Sequence, residues 1–327
     1  MCPLNMGTFI ICIYIGKLRE GVYITNKQAI FASKIKMKKS LILTTLLICC
    51  TQILGINIRY TKSDSIAICE KLSQLNKKNS KQTSALLLEA AKLFLETPYV
   101  GGTLDKEKEE CLTINTGELD CTTLVEVSLA LALTVNENKK DFNSFCHNLQ
   151  KIRYWGGVCQ GYASRLHYFS WWAADGEKKG IMHEVKGKTF RGKQILDLNF
   201  MSNNPDKYMQ LKGDSILTAT IATHEQSFRQ KETAFLPKSM LKNSKKSLPI
   251  RDGDIIALVT TIKGLDVTHM GIAVWQSGKL HMLHASSKEK KVILDKVSLH
   301  DYLATRKSCP GIRVIRVKQC NSKLGHE

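Results

Sequence analysis

The sequence predicts an α+β fold in which a helical part packs on an antiparallel sheet that is encoded later in the chain. Two apolar stretches, at residues 84–95 and 124–135, are typical of helices, and strand-like segments follow at 255–260, 269–275 and 279–285. The chain has 327 residues, of which 43% are hydrophobic, so it is long enough to bury a substantial core.

The first predicted helix, at residues 84–95, is amphipathic. Its apolar residues recur at the spacing of one helical face: Leu86, Leu87, Ala90, Leu93 and Phe94. Pro98 follows, and proline does not continue a helix because it lacks the backbone N–H.

The second predicted helix begins at a cysteine. A polar loop at 103–118 leads into Asp120, which is well placed as the N-cap of a buried helix that includes the apolar run 124–135. Cys121 follows this cap, where unpaired N–H groups and the helix macrodipole favour a thiolate. The pattern therefore indicates a nucleophile; the alternative is a small hydrophobic residue that opens a core helix.

The C-terminal strands form a predicted hairpin. If residues 277–278 make a two-residue turn, Trp275 pairs with Leu280 and Gly271 faces His284. A three-residue turn would break this register. A further strand is predicted at 313–317.

In this register two histidines share one face of the hairpin. His269 lies diagonally across from His284, at a backbone distance of roughly 7–8 Å that side chains can bridge. One imidazole would act as the base for a cysteine nucleophile, and the other would hold its tautomer. The alternative for each histidine is a packed or solvated structural role.

Residues 140–250 mix short helices and loops and contain a candidate wall of a substrate cleft. Arg165, His167 and Tyr168 lie close together in the sequence, and an arginine fork suits the carboxylates of a peptide. The alternative is a surface salt bridge beside buried aromatic residues.

The N-terminal region has the pattern of an export signal. Residues 37–55 combine a basic start with a short apolar run, and cleavage is predicted near Gly55. The run is too short for a transmembrane helix, so no stable membrane insertion is expected after its removal. Residues 1–36 are interpreted as an upstream start or an extra extension. A periplasmic protein is predicted; Cys49 and Cys50 offer a lipoprotein as the alternative.

Composition narrows the classes of partner. The net charge of +19 is compatible with an anionic partner or with a solvated lysine-rich surface. The sequence contains no basic helix, RNA-binding aromatic motif or zinc-finger spacing, so nucleic acid is not an expected partner. The 11 cysteines include no C-x-x-C pair, and neither a metal nor another cofactor is predicted.

Four segments together resemble the NlpC-type papain-like cell-wall hydrolases. They carry a Pro-Tyr element at 97–103, Asp120-Cys121 at 119–126, a histidine strand at 268–273 and a second histidine at 284–286. The resemblance implies a papain-like cysteine hydrolase domain at 65–320, in which residues 140–250 are an insertion that builds the substrate pocket.

The closer resemblance is to a branch long classed as a domain of unknown function and since regarded as N-acetylmuramoyl-L-alanine amidase-like. The phrases that carry it lie at 165–169, 199–202, 252–256, 264–269 and 284–287. The resemblance implies that Cys121 is the nucleophile, His269 the general base and then acid, and His284 the residue that orients His269. Tyr99 would lie beside the oxyanion, with the Cys121 backbone N–H.

The sequence departs from the wider superfamily next to the nucleophile, where Thr122-Thr123 replaces Ser-Gly. In the endopeptidases of the superfamily, the Asp and Ser of this motif hold the free amine of a terminal L-Ala. Because Thr122 stands in place of this Ser beside Asp120, the endopeptidase specificity for a free L-Ala amine is not expected to carry over to this chain.

The functional hypothesis is an N-acetylmuramoyl-L-alanine amidase that acts through a thioester on muramoyl peptides, with small 1,6-anhydro fragments as the substrates that the resemblance implies. One alternative is a γ-D-glutamyl-diamino-acid endopeptidase that uses the same triad on free stem peptides. A second is a non-catalytic wall-binding module.

Overall fold

The computed structural model describes residues 57–78 and 82–319. The helices of this part are α1 Lys62–Asn76, α2 Thr83–Lys92, α3 Cys121–Asn136, α4 Phe142–Arg153, α5 Phe169–Lys178, α6 Ser215–Gln226 and α7 Leu299–Ala304. The strands are β1 Ile58–Arg59, β2 Leu112–Thr113, β3 Met182–Glu184, β4 Gly192–Ile195, β5 Glu232–Pro237, β6 Ile255–Val259, β7 Val267–Gln276, β8 Lys279–Ser286, β9 Lys291–Leu294 and β10 Gly311–Val317.

Eight strands form one sheet in the order β4-β5-β10-β6-β7-β8-β9, and β3 also pairs with β10. Every pairing in this sheet is antiparallel. Strands β1 and β2 form a separate parallel pair. The predicted α+β class with an antiparallel sheet is confirmed.

Helix α3 is the buried helix of the fold. The Asp120 carboxylate accepts hydrogen bonds from the backbone N–H groups of Thr122 and Thr123, at 3.1 and 2.8 Å. Because Leu, Val and Ala occupy most positions around the helix, residues 123–134 are all buried. Helix α3 packs against α2 and α4 and against β7 and β8, so its first residue lies beside the sheet.

The hairpin of β7 and β8 has the register that the sequence predicts. Trp275 lies opposite Leu280, and Gln276 lies opposite Lys279. The two turn residues, Ser277 and Gly278, both have positive φ angles, of 48° and 76°. A two-residue turn of this kind matches the right-handed twist of the strands and holds the register.

Residues 140–250 contribute helices α4 to α6 and strands β3 to β5, and these strands belong to the same sheet as the C-terminal hairpin. The sequence analysis assigned no strands here, since β3 has three residues and β4 has four, which is too short to show a clear alternation.

The predicted extension 1–36 and signal 37–55, including Cys49 and Cys50, lie outside the described residues. Within residues 57–78 and 82–319, no helix has the length and apolar character needed to cross a membrane. The cysteines of this part are free thiols: Cys69, Cys111, Cys121, Cys146, Cys159 and Cys309.

Candidate active site

A cavity of about 300 Å³ opens beside the start of α3. Its walls come from the start of α3, the segment that leads into α5, the start of β7 and the loop residue just before it, and loops that supply Leu104, Asp105, Met201 and Tyr208. Of the residues proposed from the sequence, it brings together Cys121, Thr122, Arg165, His167, Tyr168 and His269. Tyr99, Asp120 and His284 lie outside its lining.

Cys121 is the first residue of α3, directly after the Asp120 cap. Its Sγ lies 4.0 Å from the Thr122 hydroxyl. Burial and the Asp120 carboxylate raise the pKa of the Cys121 thiol to about 11, against the opposing effect of a hydrogen bond from the Met270 backbone. Desolvation and the neighbouring Asp120 carboxylate raise the pKa of this thiol and so oppose the effect of the helix N-terminus, which favours a thiolate.

His269 stands on β7 and reaches His284 on β8. The His269 Nε2 and His284 Nδ1 atoms are 2.7 Å apart, and the two rings are nearly perpendicular, at 88°. Burial, together with the nearby charges of His284 and Arg306, lowers the pKa of His269 to about 3. The imidazole is therefore neutral at physiological pH, and the residue lines the cavity.

Gly271 makes the approach of the two histidines feasible. It lies on the same face of the hairpin, and a Cβ at this position would come within 2.9 Å of the His284 Cβ and 2.8 Å of the Leu283 carbonyl oxygen. His284 is fully buried, with 0% of its surface exposed. Its burial lowers its pKa, while Asp295 acts in the opposite direction.

Tyr99 lies near the start of α3, where Cys121 and Asp120 influence its hydroxyl. Its backbone pairs with Leu119 in a parallel bridge, just before the cap of α3. Burial raises the pKa of the Tyr99 hydroxyl, and the charges of Cys121 and Asp120 raise it further. Tyr99 therefore stays protonated and keeps a donor close to the sulfur.

Arg165 lines the cavity, but its guanidinium is already engaged. It pairs with Asp105, and its Nε lies 3.7 Å from Glu110. Its side chain is 7% exposed, and it stacks on the Tyr162 ring at 4.9 Å. Arg165 is thus part of a buried charge network with stacked aromatic residues, and an incoming carboxylate would have to compete with Asp105.

His167 and Tyr168 also use their polar atoms inside the protein. The His167 Nε2 atom lies 2.8 Å from the Tyr162 carbonyl oxygen. The Tyr168 hydroxyl donates to the Glu225 carboxylate at 2.6 Å and accepts from the Met201 N–H at 3.0 Å. Both rings therefore shape the cavity wall in a fixed orientation.

Several residues around the site were missed by the sequence analysis. Glu126, which lines the cavity, lies in the apolar helix α3 and forms a buried ion pair with Arg153, at 2.7 Å. An acidic residue within an apolar run was the signal that could have indicated a buried partner. Asp105 carried no comparable signal, because it stands in a polar stretch of the sequence, and the acidic residue at the end of the apolar run 292–294, Asp295, was overlooked.

Metal ligation has no support in residues 57–78 and 82–319, where no group of three or more His, Cys, Asp or Glu side chains could hold an ion. The cavity is lined by both the Cys121 thiol and the His269 imidazole, a pair of groups that can carry out nucleophilic attack with general-base assistance.

Comparison with known protein families gives one match, to the N-acetylmuramoyl-L-alanine amidase-like family, over residues 89–312. This range contains Cys121, His269 and His284. A search of curated proteins gives no significant match.

Solved structures with the same fold include an N-acetylmuramoyl-L-alanine amidase from Bacteroides uniformis, which is 42% identical, with a TM-score of 0.68. The match covers 72% of this chain and 99% of that chain. A Bacteroides fragilis protein provisionally described as a xylanase is 45% identical over 70% of this chain and 99% of that chain, with a TM-score of 0.66. A protein from Legionella pneumophila, 20% identical, shares the fold over 78% of this chain and 95% of that chain, with a TM-score of 0.58.

Proposed function

Because the chain belongs to the N-acetylmuramoyl-L-alanine amidase-like family, we propose that it hydrolyses the amide between the lactyl group of muramic acid and L-Ala, using Cys121 as nucleophile. The observation that carries the proposal is the cavity lined by both Cys121 and His269, in which His269 is held by His284 at 2.7 Å. A nucleophile, a base and a residue that orients the base are the parts that acyl transfer requires.

The first step is attack of the Cys121 sulfur on the lactyl carbonyl. The raised thiol pKa and the lowered imidazole pKa both favour a neutral pair at rest, so His269 takes the thiol proton as the S–C bond forms. The protonated His269 then gives this proton to the leaving nitrogen. The C–N bond breaks, and the peptide departs with a free L-Ala amine.

The second step is hydrolysis of the thioester. His269 removes a proton from water, the new C–O bond forms, and the S–C bond breaks to return the thiol and release the lactyl carboxylate. The oxyanion of each tetrahedral intermediate would accept from the Cys121 backbone N–H, which has no partner within its own helix because it lies in the first turn. The Tyr99 hydroxyl is the second proposed donor.

The size of the cavity supports small fragments as substrates. Its volume of about 300 Å³ is at the lower end of the range for small-molecule sites. A 1,6-anhydro-muramoyl peptide presents a single sugar and a short peptide to the nucleophile, whereas intact wall presents a long glycan. We therefore propose the anhydro fragments as substrates.

The endopeptidase alternative needs a group that holds the free amine of a terminal L-Ala. In this chain the Asp120 Oδ1 atom already accepts hydrogen bonds from Thr122 and from both the backbone and the hydroxyl of Thr123. An amine would have to share this carboxylate with the cap of α3, which favours the amidase.

A glycosidase requires two carboxyl groups placed on either side of the scissile bond. Asp105, Glu126 and Asp266 line the cavity, but each has internal partners. Asp105 pairs with Arg165, Glu126 pairs with Arg153, and Asp266 accepts from the Ser170 N–H at 2.6 Å. These contacts support acyl transfer over sugar hydrolysis.

The test is mass spectrometry of anhydro-muramoyl tripeptide incubated with the wild-type chain, with Cys121→Ala and with Cys159→Ala. The last variant is a matched control, because Cys159 is another free thiol but does not line the cavity. Release of anhydro-muramic acid by the wild type and by Cys159→Ala, but not by Cys121→Ala, is the expected result.

Cleavage of free stem peptide after D-Glu, with the sugar-linked substrate left intact, would support the endopeptidase instead. Binding of both compounds without any product would support the wall-binding module. The export pattern at 37–55 leads us to propose a periplasmic location, in which such fragments arise during wall turnover.

A further inference from the structure

A carboxylate stands behind the two histidines of the site. His284 is fully buried, and its Nε2 atom faces Asp295 Oδ2 at 3.5 Å. Among the described residues this ring nitrogen has no hydrogen bond within normal geometry, and Asp295 is its ion-pair partner. An ionised carboxylate can only accept hydrogen bonds, so this contact favours the tautomer of His284 that carries its proton on Nε2.

The tautomer of His284 then decides that of His269. With its proton on Nε2, neutral His284 presents a lone pair at Nδ1, and this atom lies 2.7 Å from His269 Nε2. His269 must therefore donate from Nε2, which leaves His269 Nδ1 unprotonated. This is the nitrogen that the proposed reaction needs as a base toward the Cys121 thiol.

Asp295 is held firmly enough to act in this way. It follows strand β9, and its Oδ1 atom accepts from the Val297 N–H at 3.2 Å. Its backbone N–H donates to the Met282 carbonyl at 3.0 Å, and its own carbonyl oxygen lies 3.0 Å from His281 Nδ1. The carboxylate is thereby fixed on the side of His284 that faces away from His269.

Helix α7 completes the surroundings of His284. The Tyr302 ring lies edge-on to the His284 ring at 5.6 Å, and the Arg306 guanidinium donates to the Tyr302 hydroxyl at 2.7 Å. The charged and titratable groups that face His284 are thus His269 from β7, Asp295 after β9, and Tyr302 and Arg306 from α7 and the residues after it. Asp295 is the only acidic side chain of this set.

We propose that Asp295 is a positioning residue that holds both histidines in the tautomers required by the thiol chemistry. This inference rests on the proposed function for its catalytic consequence, but the tautomers themselves exist without substrate. Asp295 touches neither the substrate nor the sulfur and acts through His284 and His269.

The test uses the full chain with Asp295→Ala, which removes the acceptor, and Asp295→Asn, which keeps its shape. Glu289→Gln is the matched control. Glu289 lies in the turn between β8, which carries His284, and β9, which leads to Asp295, and its substitution removes one negative charge at a half-exposed site. Imidazole ¹⁵N NMR reports the protonated nitrogen of each histidine without any substrate, and spectra of His269→Gln and His284→Gln supply the assignments.

In the wild type we expect His269 and His284 to be protonated at Nε2 and unprotonated at Nδ1. Asp295→Ala should shift both toward a mixture of tautomers and lower kcat about 10- to 100-fold with little change in KM, the range found for residues that orient a metal-ligating histidine. Asp295→Glu, which restores an acceptor, should recover part of the lost kcat. Glu289→Gln should change neither readout.

Unchanged tautomers in both Asp295→Ala and Asp295→Asn, with circular dichroism showing that the variants are folded, would overturn the inference. A lower kcat with unchanged tautomers would also overturn it, since the loss would then have another cause. If the wild type fails to cleave muramoyl peptides but the tautomers shift as expected, the proposed function fails and the role of Asp295 stands.

Discussion

The clearest prediction concerns the stability of the protein in mild acid, because the partly buried His269 imidazole has a strongly lowered pKa. Its pKa is about 3 in the folded protein and 6.5 as the reference for the unfolded chain. Between these values the unfolded state binds more protons than the folded state. The contribution of His269 to the free energy of unfolding is therefore fully present above pH 6.5. It is lost as the pH falls toward 3.

The magnitude follows from these two values. Between pH 7.5 and pH 5.0, titration of His269 alone should lower the free energy of unfolding by about 2 kcal/mol, at about 1.4 kcal/mol per pKa unit. This is a large share of a typical total of about 5–15 kcal/mol. His284, whose pKa is also lowered, acts in the same direction.

The assay is urea unfolding at the two pH values for the wild type and for His269→Gln, in which the titrating group is absent. We expect the variant to lose about 2 kcal/mol less than the wild type between pH 7.5 and pH 5.0. His147→Gln, at an exposed position on α4, is the matched control and should keep the wild-type difference. Equal losses in the wild type and in His269→Gln would refute the conclusion that the pKa of His269 is strongly lowered in the folded protein.

Three further predictions concern single sites. Alkylation of Cys121 by iodoacetamide, followed by peptide mass spectrometry, should become faster as the pH rises. Because the thiol pKa is near 11, the rate should reach no plateau below pH 9. A plateau near neutrality would indicate a preformed thiolate. Arg153→Met should lower the free energy of unfolding by about 3–5 kcal/mol in urea, because it leaves the Glu126 carboxylate buried without its cation; a loss below about 1 kcal/mol would show that water reaches the pair. Gly253→Ala should lower the melting temperature strongly, because Gly253 has a φ angle of 81° and an added Cβ would overlap the Ser84 carbonyl oxygen. Gly180→Ala is the control, because Gly180 has a positive φ angle but open space around it. It should lower the melting temperature less, through backbone strain alone.

Local chemistry explains why the sequence alone located the start of α3 and the register of the hairpin. An N-cap carboxylate satisfies N–H groups two and three residues ahead, so Asp120 could be recognised without knowledge of the fold. The Ser277-Gly278 turn likewise acts on its own flanking strands. Both features depend on neighbours in sequence.

The short strands β3 to β5 could not be predicted in the same way. Strands β3 and β5 pair with β10, and β4 pairs with β5, so these strands form on a sheet that a later part of the chain supplies. Strands β3 and β4, of three and four residues, also carry too little pattern to be recognised. The partners of Arg165 were equally hidden, since Asp105 and Glu110 precede it by more than 50 positions.

The sequence by itself determined the fold class, the helix that carries Cys121 and the pairing that brings His269 to His284, because each depends on periodicity, a cap or a turn. Only the tertiary structure decided the protonation of the site. Burial and neighbouring charges decide the neutral state of the Cys121 thiol and the lowered pKa of His269. Elements far apart in the chain supply this burial and these charges, and they also place Asp295 beside His284.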